Sequence, residues 1–327
     1  MNPHQVTRRG FLKQAGLAGA GIVAAPGFVA FAAGGQNQQP APATGNKFQQ
    51  FRAGGATTPI QVTKLRDTLF LLQGVGGNMV AQTGPDGKLL IDSSAATASQ
   101  HLQDALKKLD PHPLRLLINT HWHYDHCDGN AALHDNDGAF IIAHQQTRKR
   151  LSTPQELEFF RLEFAPYPTG ALPQQTFTEN QKLFFNNEEL DLAYMPDAHT
   201  DTDIHIHFVN GNVIHTGDIF FNGFYPFIDG GTNGTARGMV KGAEVCLAIA
   251  DDKTKIVPGH GPLGDKAALQ KYRDMLATVT DRVEKLKSSG QTLDQVVAAK
   301  PTAEFDAAWS KGFLSPDTFA GLIYNTL

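Results

Sequence analysis

Seven side chains in this 327-residue sequence have the types and spacing to hold divalent metal ions. Four of them, His121, His123, Asp125 and His126, crowd into six residues of the stretch LLINTHWHYDHCDGN at 116–130. Imidazole nitrogens suit zinc and similar first-row ions, and a carboxylate adds a hard oxygen ligand. Three more candidates stand apart: His199 in Pro-Asp-Ala-His-Thr, Asp218 in Thr-Gly-Asp and His260 in Pro-Gly-His-Gly. Together the seven supply five imidazoles and two carboxylates. That is enough for two ions with four or five ligands each, once a bridging hydroxide is counted. Such ions lower the pKa of water from about 16 to about 7, polarise a carbonyl and stabilise a leaving group.

Strand ends must position these groups. Leu116, Leu117 and Ile118 read as the end of a buried strand, with the histidine array in the loop that follows. His199 precedes an expected strand at 204–208, Asp218 follows one at 213–216, and His260 follows one at 255–257. Rigid scaffolds place functional groups in such loops. Around them, an antiparallel meander is expected at 60–64, 68–73, 78–83 and 88–91, then a helix at 95–109 capped by Asp92-Ser93-Ser94. A short helix at 129–134 and a strand at 139–143 follow. Residues 144–170 read as helical and irregular, a surface helix or a wall over the site. A second strand series runs from 176 to 216, with helices at 236–250 and 265–288 and three short ones in the tail. Strands followed by helices thus occur twice, which predicts an α/β (α+β) fold: a four-layer αββα sandwich of two similar halves.

The H-x-H-x-D-H array with its spaced His, Gly-Asp and Gly-His resembles the metallo-β-lactamase superfamily of metallo-hydrolases, from about 60 to about 284. That resemblance implies that His121, His123 and His199 hold one metal, that Asp125, His126 and His260 hold the other, and that Asp218 bridges. It implies two zinc ions, with iron or manganese as alternatives. Asp125 and His199 are the catalytic candidates, Asp125 orienting the hydroxide and passing a proton to the leaving atom. Asp218 stands where one main subclass of two-metal β-lactamases has Cys, and the Gly-Cys run of the glyoxalase II branch is absent after it. His123 replaces the Glu of the flavodiiron branch, and no room exists for the inserted domain of the nucleic-acid-processing branch.

The expected function is therefore a two-metal hydrolase using a metal-bound hydroxide on an ester, lactone, thioester or amide bond of a small molecule. β-Lactam hydrolysis lies within that class. An iron-dependent oxidoreductase on the same fold and a non-catalytic binding protein are the competing classes. Thr120, Asp92 and Thr200 are candidates to hold the ligand imidazoles. Trp122 reads as packing. Phe224 and Tyr225 read equally as pocket or core. His205, His207 and His215 read as strand residues outside the site, and Cys127 and Cys246 as free buried thiols.

Composition is that of a soluble globular protein, 41% hydrophobic and 18% charged, and a net charge of −4 gives no footprint for nucleic acid. Arg8 and Arg9, followed by Phe11-Leu12-Lys13 and an apolar Gly/Ala-rich run, resemble a bacterial twin-arginine export signal. The expected division is a signal at 1–32, a flexible linker at 33–58 and a hydrolase domain at 59–327. The partner is then the twin-arginine export machinery, the location is periplasmic or secreted, and no stable membrane span remains after processing. Starting from −4, removal of three cations (Arg8, Arg9 and Lys13) leaves −7.

Overall fold

The computed structural model describes residues 46–327, so the export signal and the first part of the expected linker lie outside the described residues. The last part of that linker is a correction. Residues Asn46–Thr57 form a helix, α1, whose Phe48 is buried against the domain. Its Gly-, Gln- and Ala-rich composition hides two anchoring rings, Phe48 and Phe51, one turn apart.

The meander follows as β1 (Gln61–Lys64), β2 (Leu69–Gln73), β3 (Met79–Gln82) and β4 (Lys88–Ile91). Then come α2 (Ser99–Leu109), β5 (Leu114–Ile118), α3 (Tyr124–Cys127), α4 (Asn130–Asp137), β6 (Phe140–His144) and α5 (Gln145–Leu151). The stretch expected as helical to 170 instead folds, after α5, into a two-stranded hairpin of β7 (Gln155–Leu157) and β8 (Leu162–Phe164). Pro154 and the left-handed Arg161 (φ 54°) account for the break and the turn. The second half carries β9 (Gln175–Phe177), β10 (Gln181–Phe185), β11 (Glu188–Tyr194), β12 (Ile204–Phe208), β13 (Val213–His215) and α6 (Ala236–Ile249). It ends with β14 (Lys255–Val257), β15 (Gly264–Asp265), α7 (Lys266–Ser288), α8 (Leu293–Ala298), α9 (Asp306–Trp309) and α10 (Pro316–Asn325). Among the described residues no helix is long and apolar enough to cross a membrane.

Two sheets result, one ordered β1-β2-β3-β4-β5-β6-β9 and the other β10-β11-β12-β13-β14-β15. Strand alternation decides which face each residue takes. Leu69, Leu71, Val80, Leu89, Ile91 and Ile118 of the first sheet meet Leu190, Leu192, Ile204, Ile206 and Phe208 of the second in one core. The alternate residues of the first sheet, such as Leu72, Leu90 and Leu117, pack on Leu102 and Leu106 of α2 and Leu133 of α4. The far side of the second sheet, with Ile214 and Ile256, packs on α6 and α7 through Met239, Ala243, Met275 and Leu276. The four layers are helix, sheet, sheet, helix, as the order of elements predicts.

In the first sheet β4, β5, β6 and β9 run parallel in succession, and in the second β13 runs parallel to β14. Parallel neighbours end at the same edge, so the loops leaving them lie side by side. Asp92 follows β4, the histidine array follows β5, Asp218 follows β13 and His260 follows β14. The candidate site therefore sits where the β4–β5 and β13–β14 pairs end.

Candidate metal centre

The structure brings all seven predicted residues together in two adjoining groups. The ligand atoms of His121, His123, His199 and Asp218 lie within 4.8 Å of one another, and so do those of Asp125, His126 and His260. Asp218 lies between the groups: Oδ2 is 3.4 Å from both His199 Nε2 and His260 Nε2, and Oδ1 is 3.1 Å from His126 Nε2. Around a tetrahedral ion with bonds of about 2.0–2.1 Å, donors stand roughly 3.4 Å apart. The set His121, His123, His199 and Asp218 accordingly fits a divalent metal. One orphaned atom points the same way, because His121 Nε2 is fully buried with no hydrogen-bond partner.

Hydrogen bonds on the far side of each ring decide which nitrogen faces the centre. His126 Nδ1 donates to Asp92 Oδ2 at 2.7 Å, leaving Nε2 inward. His199 Nδ1 donates to the Phe227 carbonyl at 2.8 Å, again leaving Nε2. His123 is turned the other way. Its Nε2 donates to Asp229 at 3.0 Å, so Nδ1 faces His199 Nε2 at 2.9 Å. Thr120 spends its only hydroxyl hydrogen on Asp92 (2.8 Å) and can then accept from His121 Nδ1 at 3.0 Å. Asp92 thus steers two ligands, one of them through Thr120, and it does so from a left-handed backbone (φ 62°). Non-glycine residues adopt that conformation at a cost where the surroundings over-determine them.

Two of the expected supports are in place, and one is not. Asp92 and Thr120 hold ligand rings, whereas Thr200 bonds Asp203 and Thr202 and reaches no ligand imidazole. Asp229 takes the third supporting role, itself held by Thr232 Oγ1 at 2.6 Å. Asp229 lies 106 residues from His123 in the chain, within Phe-Ile-Asp-Gly, and no local spacing marks it.

Charge in the site is strongly polarised. Burial pushes His199 down to about 4 and, helped by neighbouring imidazoles, holds His121 well below its ordinary value. Burial also acts on His260, but Asp218 and Asp125 outweigh it and raise that ring to about 9. His126 is raised likewise by Asp218, Asp92 and Asp125. Burial opposes the ionisation of Asp125 and Asp218, yet the facing imidazoles bring Asp125 down to about 2 and Asp218 well below the carboxylate range. Four carboxylates, Asp125 and Asp218 among the rings and Asp92 and Asp229 bonded to them, favour a cation amid the five imidazoles, and loading it would displace protons from His126 and His260.

The close approach of backbone to these groups requires two glycines. A Cβ on Gly259 would stand 1.9 Å from Asp218 Oδ1, and one on Gly77 would meet the His126 ring at 2.2 Å. Asn78 fastens the second half to the first: its Nδ2 donates to the Pro258 and Gly261 carbonyls at 2.9 Å each. His215 donates to the Asn78 carbonyl and accepts from Gly217 N, so it is satisfied within the fold. His205, His207 and His215 join neither group.

A cleft of about 190 Å³ opens onto the centre, lined by His123, Asp125, Asp218 and His260 on one side. Its other walls are Tyr124, Leu157, Phe160, Phe221, Phe227 and Phe313. Phe224 and Tyr225 do not line it. Tyr225 is core, stacked on Phe319 and bonded to Asp306 at 2.8 Å. Trp122 packs beneath His123, with ring centroids 4.8 Å apart, and Cys127 donates its buried thiol to the His121 carbonyl. Both cysteines are free and buried. Helix α1 closes over this region. Phe48 and Phe51 meet Tyr124 edge-on at 5.2 and 5.0 Å, and Arg52 forms a bidentate pair with the buried Asp128 at 2.6 and 3.0 Å. A larger groove of about 760 Å³ between α7 and α9 carries none of the seven groups.

Comparison with known proteins bears on the same region. The family model described as "Metallo-beta-lactamase superfamily" matches residues 72–262, more than half of the chain and all seven positions. Among solved structures, a metallo-beta-lactamase from Pontibacter korlensis is similar with a TM-score of 0.55 at 16% identity, over 67% of this chain and 99% of that one. The sec-alkylsulfatase Pisa1 from Pseudomonas sp. gives 0.62 at 17% identity, over 81% of this chain and 50% of that one. The DIM-1 metallo-beta-lactamase gives 0.54 at 16% identity, over 67% and 98%. Likenesses at such identities concern the fold.

Proposed function

This chain belongs to the metallo-beta-lactamase superfamily and is a metal-dependent hydrolase, and on that premise we propose that it works with two zinc ions on an ester, lactone, thioester or amide bond. The observation that carries the reading is the pair of convergent ligand groups with Asp218 between them. In this proposal His121, His123 and His199 would hold one ion and Asp125, His126 and His260 the other, with Asp218 available to both. Bound there, divalent ions supply Lewis acidity that acidifies water and polarises a carbonyl.

The chain's own residues do the rest. Asp125 lines the cleft with Oδ2 3.1 Å from His260 Nε2, so that oxygen would turn with the ring toward a bound ion and the other is left to take a proton from the attacking water. That proton then passes to the leaving atom, which restores the carboxylate. Asp229, Asp92 and the Phe227 carbonyl hold three ligand rings in fixed tautomers, so no reorganisation is needed during turnover. The aromatic walls exclude bulk water from the carbonyl.

The test is a panel of ester, lactone, thioester, amide, sulfate-ester and β-lactam substrates on the zinc-loaded protein. Cleavage of a carbonyl bond that stops on chelation supports the proposal. Cleavage of nitrocefin alone moves the reading to a β-lactamase, and one iron per chain with oxygen uptake moves it to an oxidoreductase. We also propose export, which rests on the paired arginines. Retention in the cytoplasm on replacing Arg8 and Arg9 by Lys is the expected result, and unchanged periplasmic recovery counts against it.

A further inference from the structure

Apart from the metal-ligating side of the cleft, every wall is apolar or aromatic: Tyr124, Leu157, Phe160, Phe221, Phe227 and Phe313. No Lys or Arg lines it among the described residues. Lys47, which does not line the cleft, sits with its Nζ over the Phe160 ring at 4.9 Å. A substrate carrying a carboxylate, sulfate or phosphate away from the scissile bond would be desolvated against these rings without a partner.

The rings form a continuous surface. Phe160 lies 5.1 Å from Phe227 and 5.8 Å from Phe313, and Phe159 lies 5.3 Å from Phe227. Phe313 is 55% exposed and Phe159 39% exposed, so two large rings face water at the rim. Large exposed aromatics clustered at a cleft mark a binding surface. Size narrows the guest further. The cleft is about 190 Å³ including the space beside the metal-ligating groups, which leaves room along the rings for about one aryl or compact alkyl group. These walls also come from unusual places. Leu157 and Phe160 stand on the β7–β8 hairpin, and Phe313 lies between α9 and α10, beyond residue 262 where the family match ends.

We infer that the preferred substrate is an uncharged ester whose aryl or compact alkyl group rests against Phe160, Phe227 and Phe313, and that Phe160 and Phe313 determine specificity. This deepens the hydrolase reading above and rests on it. In the reaction, water adds across the acyl C–O bond. The acyl carbon gains the hydroxyl and leaves as a carboxylate with release of one proton, while the alcohol or phenol oxygen takes the other.

The experiment compares phenyl acetate with 4-acetoxybenzoate, which adds one carboxylate to the same leaving group, on the zinc-loaded full chain. The carboxylate does not make the phenoxide a poorer leaving group, so a preference for the neutral ester must come from the pocket. The wild type is expected to favour phenyl acetate in kcat/KM by about tenfold or more, the range a hydrophobic pocket reaches. Phe313→Lys, at an exposed position outside the seven ligand candidates, is expected to keep its fold and metal content and to cancel or invert that ratio. Phe160→Ala is expected to raise KM for phenyl acetate more than it lowers kcat. Equal kcat/KM for the two esters in the wild type overturns the inference and leaves the hydrolase reading standing, and so does an unchanged ratio in Phe313→Lys. Cleavage of neither ester, with turnover of a β-lactam or an alkyl sulfate, overturns the carbonyl-ester reading itself.

Discussion

The two sides of the cleft are built on opposite principles. The metal-ligating side is polar, buried and over-determined: Asp92, Thr120, Asp229 and the Phe227 carbonyl each fix a ring through a directed bond of 2.7–3.0 Å. The facing wall is aromatic, partly exposed and assembled from a hairpin, a loop and the chain's C-terminal region by contact between rings at 5–6 Å. Directed bonds need particular atoms at particular places, and a single error there is costly. Ring packing tolerates substitution of one apolar group for another. The contrast teaches that chemistry in this molecule is fixed by the first side, while selectivity is free to vary on the second.

The largest effect that tests this contrast is removal of the central carboxylate. Asp218→Ala removes the carboxylate that lies between the two groups, and kcat/KM is expected to fall by on the order of 10³ or more. Metal analysis is expected to show fewer than two ions per chain, and two retained ions with activity intact would break the comparison at its base. Next is a support that touches no substrate. Asp229→Ala frees the His123 ring, and metal affinity or activity is expected to drop about 10- to 100-fold, with thermal stability nearly unchanged once zinc is added in excess.

A third substitution addresses the helix that closes over both sides. Arg52→Ala leaves the buried Asp128 carboxylate with the Ala96 amide (2.8 Å) as its remaining partner among the described residues. A loss of about 2 kcal/mol is expected, the magnitude for hydrogen bonds to a buried charge. Denaturant unfolding measures it, and proteolysis confined to residues 46–57 would show that α1 is what detaches. The smallest structural effect belongs to the wall. Phe313→Ala is expected to change stability by less than about 0.5 kcal/mol because the ring is exposed. Its kcat/KM for an aryl ester is nonetheless expected to fall about tenfold. A large loss of stability there would mean that the wall is core after all.

Legibility in the sequence follows the same division. Four ligands within six residues and three more beside Gly or at strand ends are a pattern that chance seldom makes, because metal ligation restricts residue type. Strand alternation likewise announces the two sheets. The signal is weaker where the requirement is only apolar. The hairpin at 155–164 reads as helical because Glu156, Glu158, Phe159 and Phe160 suit a helix face, and only Pro154 and the turn at Arg161 decide otherwise. Helix α1 was hidden by a composition poor in large apolar residues, although Phe48 and Phe51 anchor it. Thr200 and Asp229 show the limit at single residues. Thr200 is adjacent to a ligand and supports none, whereas Asp229 is remote and supports His123.

The sequence by itself determined the seven metal-competent residues, the strand ends that carry them and the four-layer order of the fold, since residue type and periodicity are local properties. Only the tertiary structure decided that Asp218 stands between the two groups, that Asp229 turns His123 to present Nδ1, and that Phe313 packs beside Phe160 in one wall of the cleft. Those facts depend on which distant strands run parallel and end together, and the distances that follow are written in no single stretch of chain.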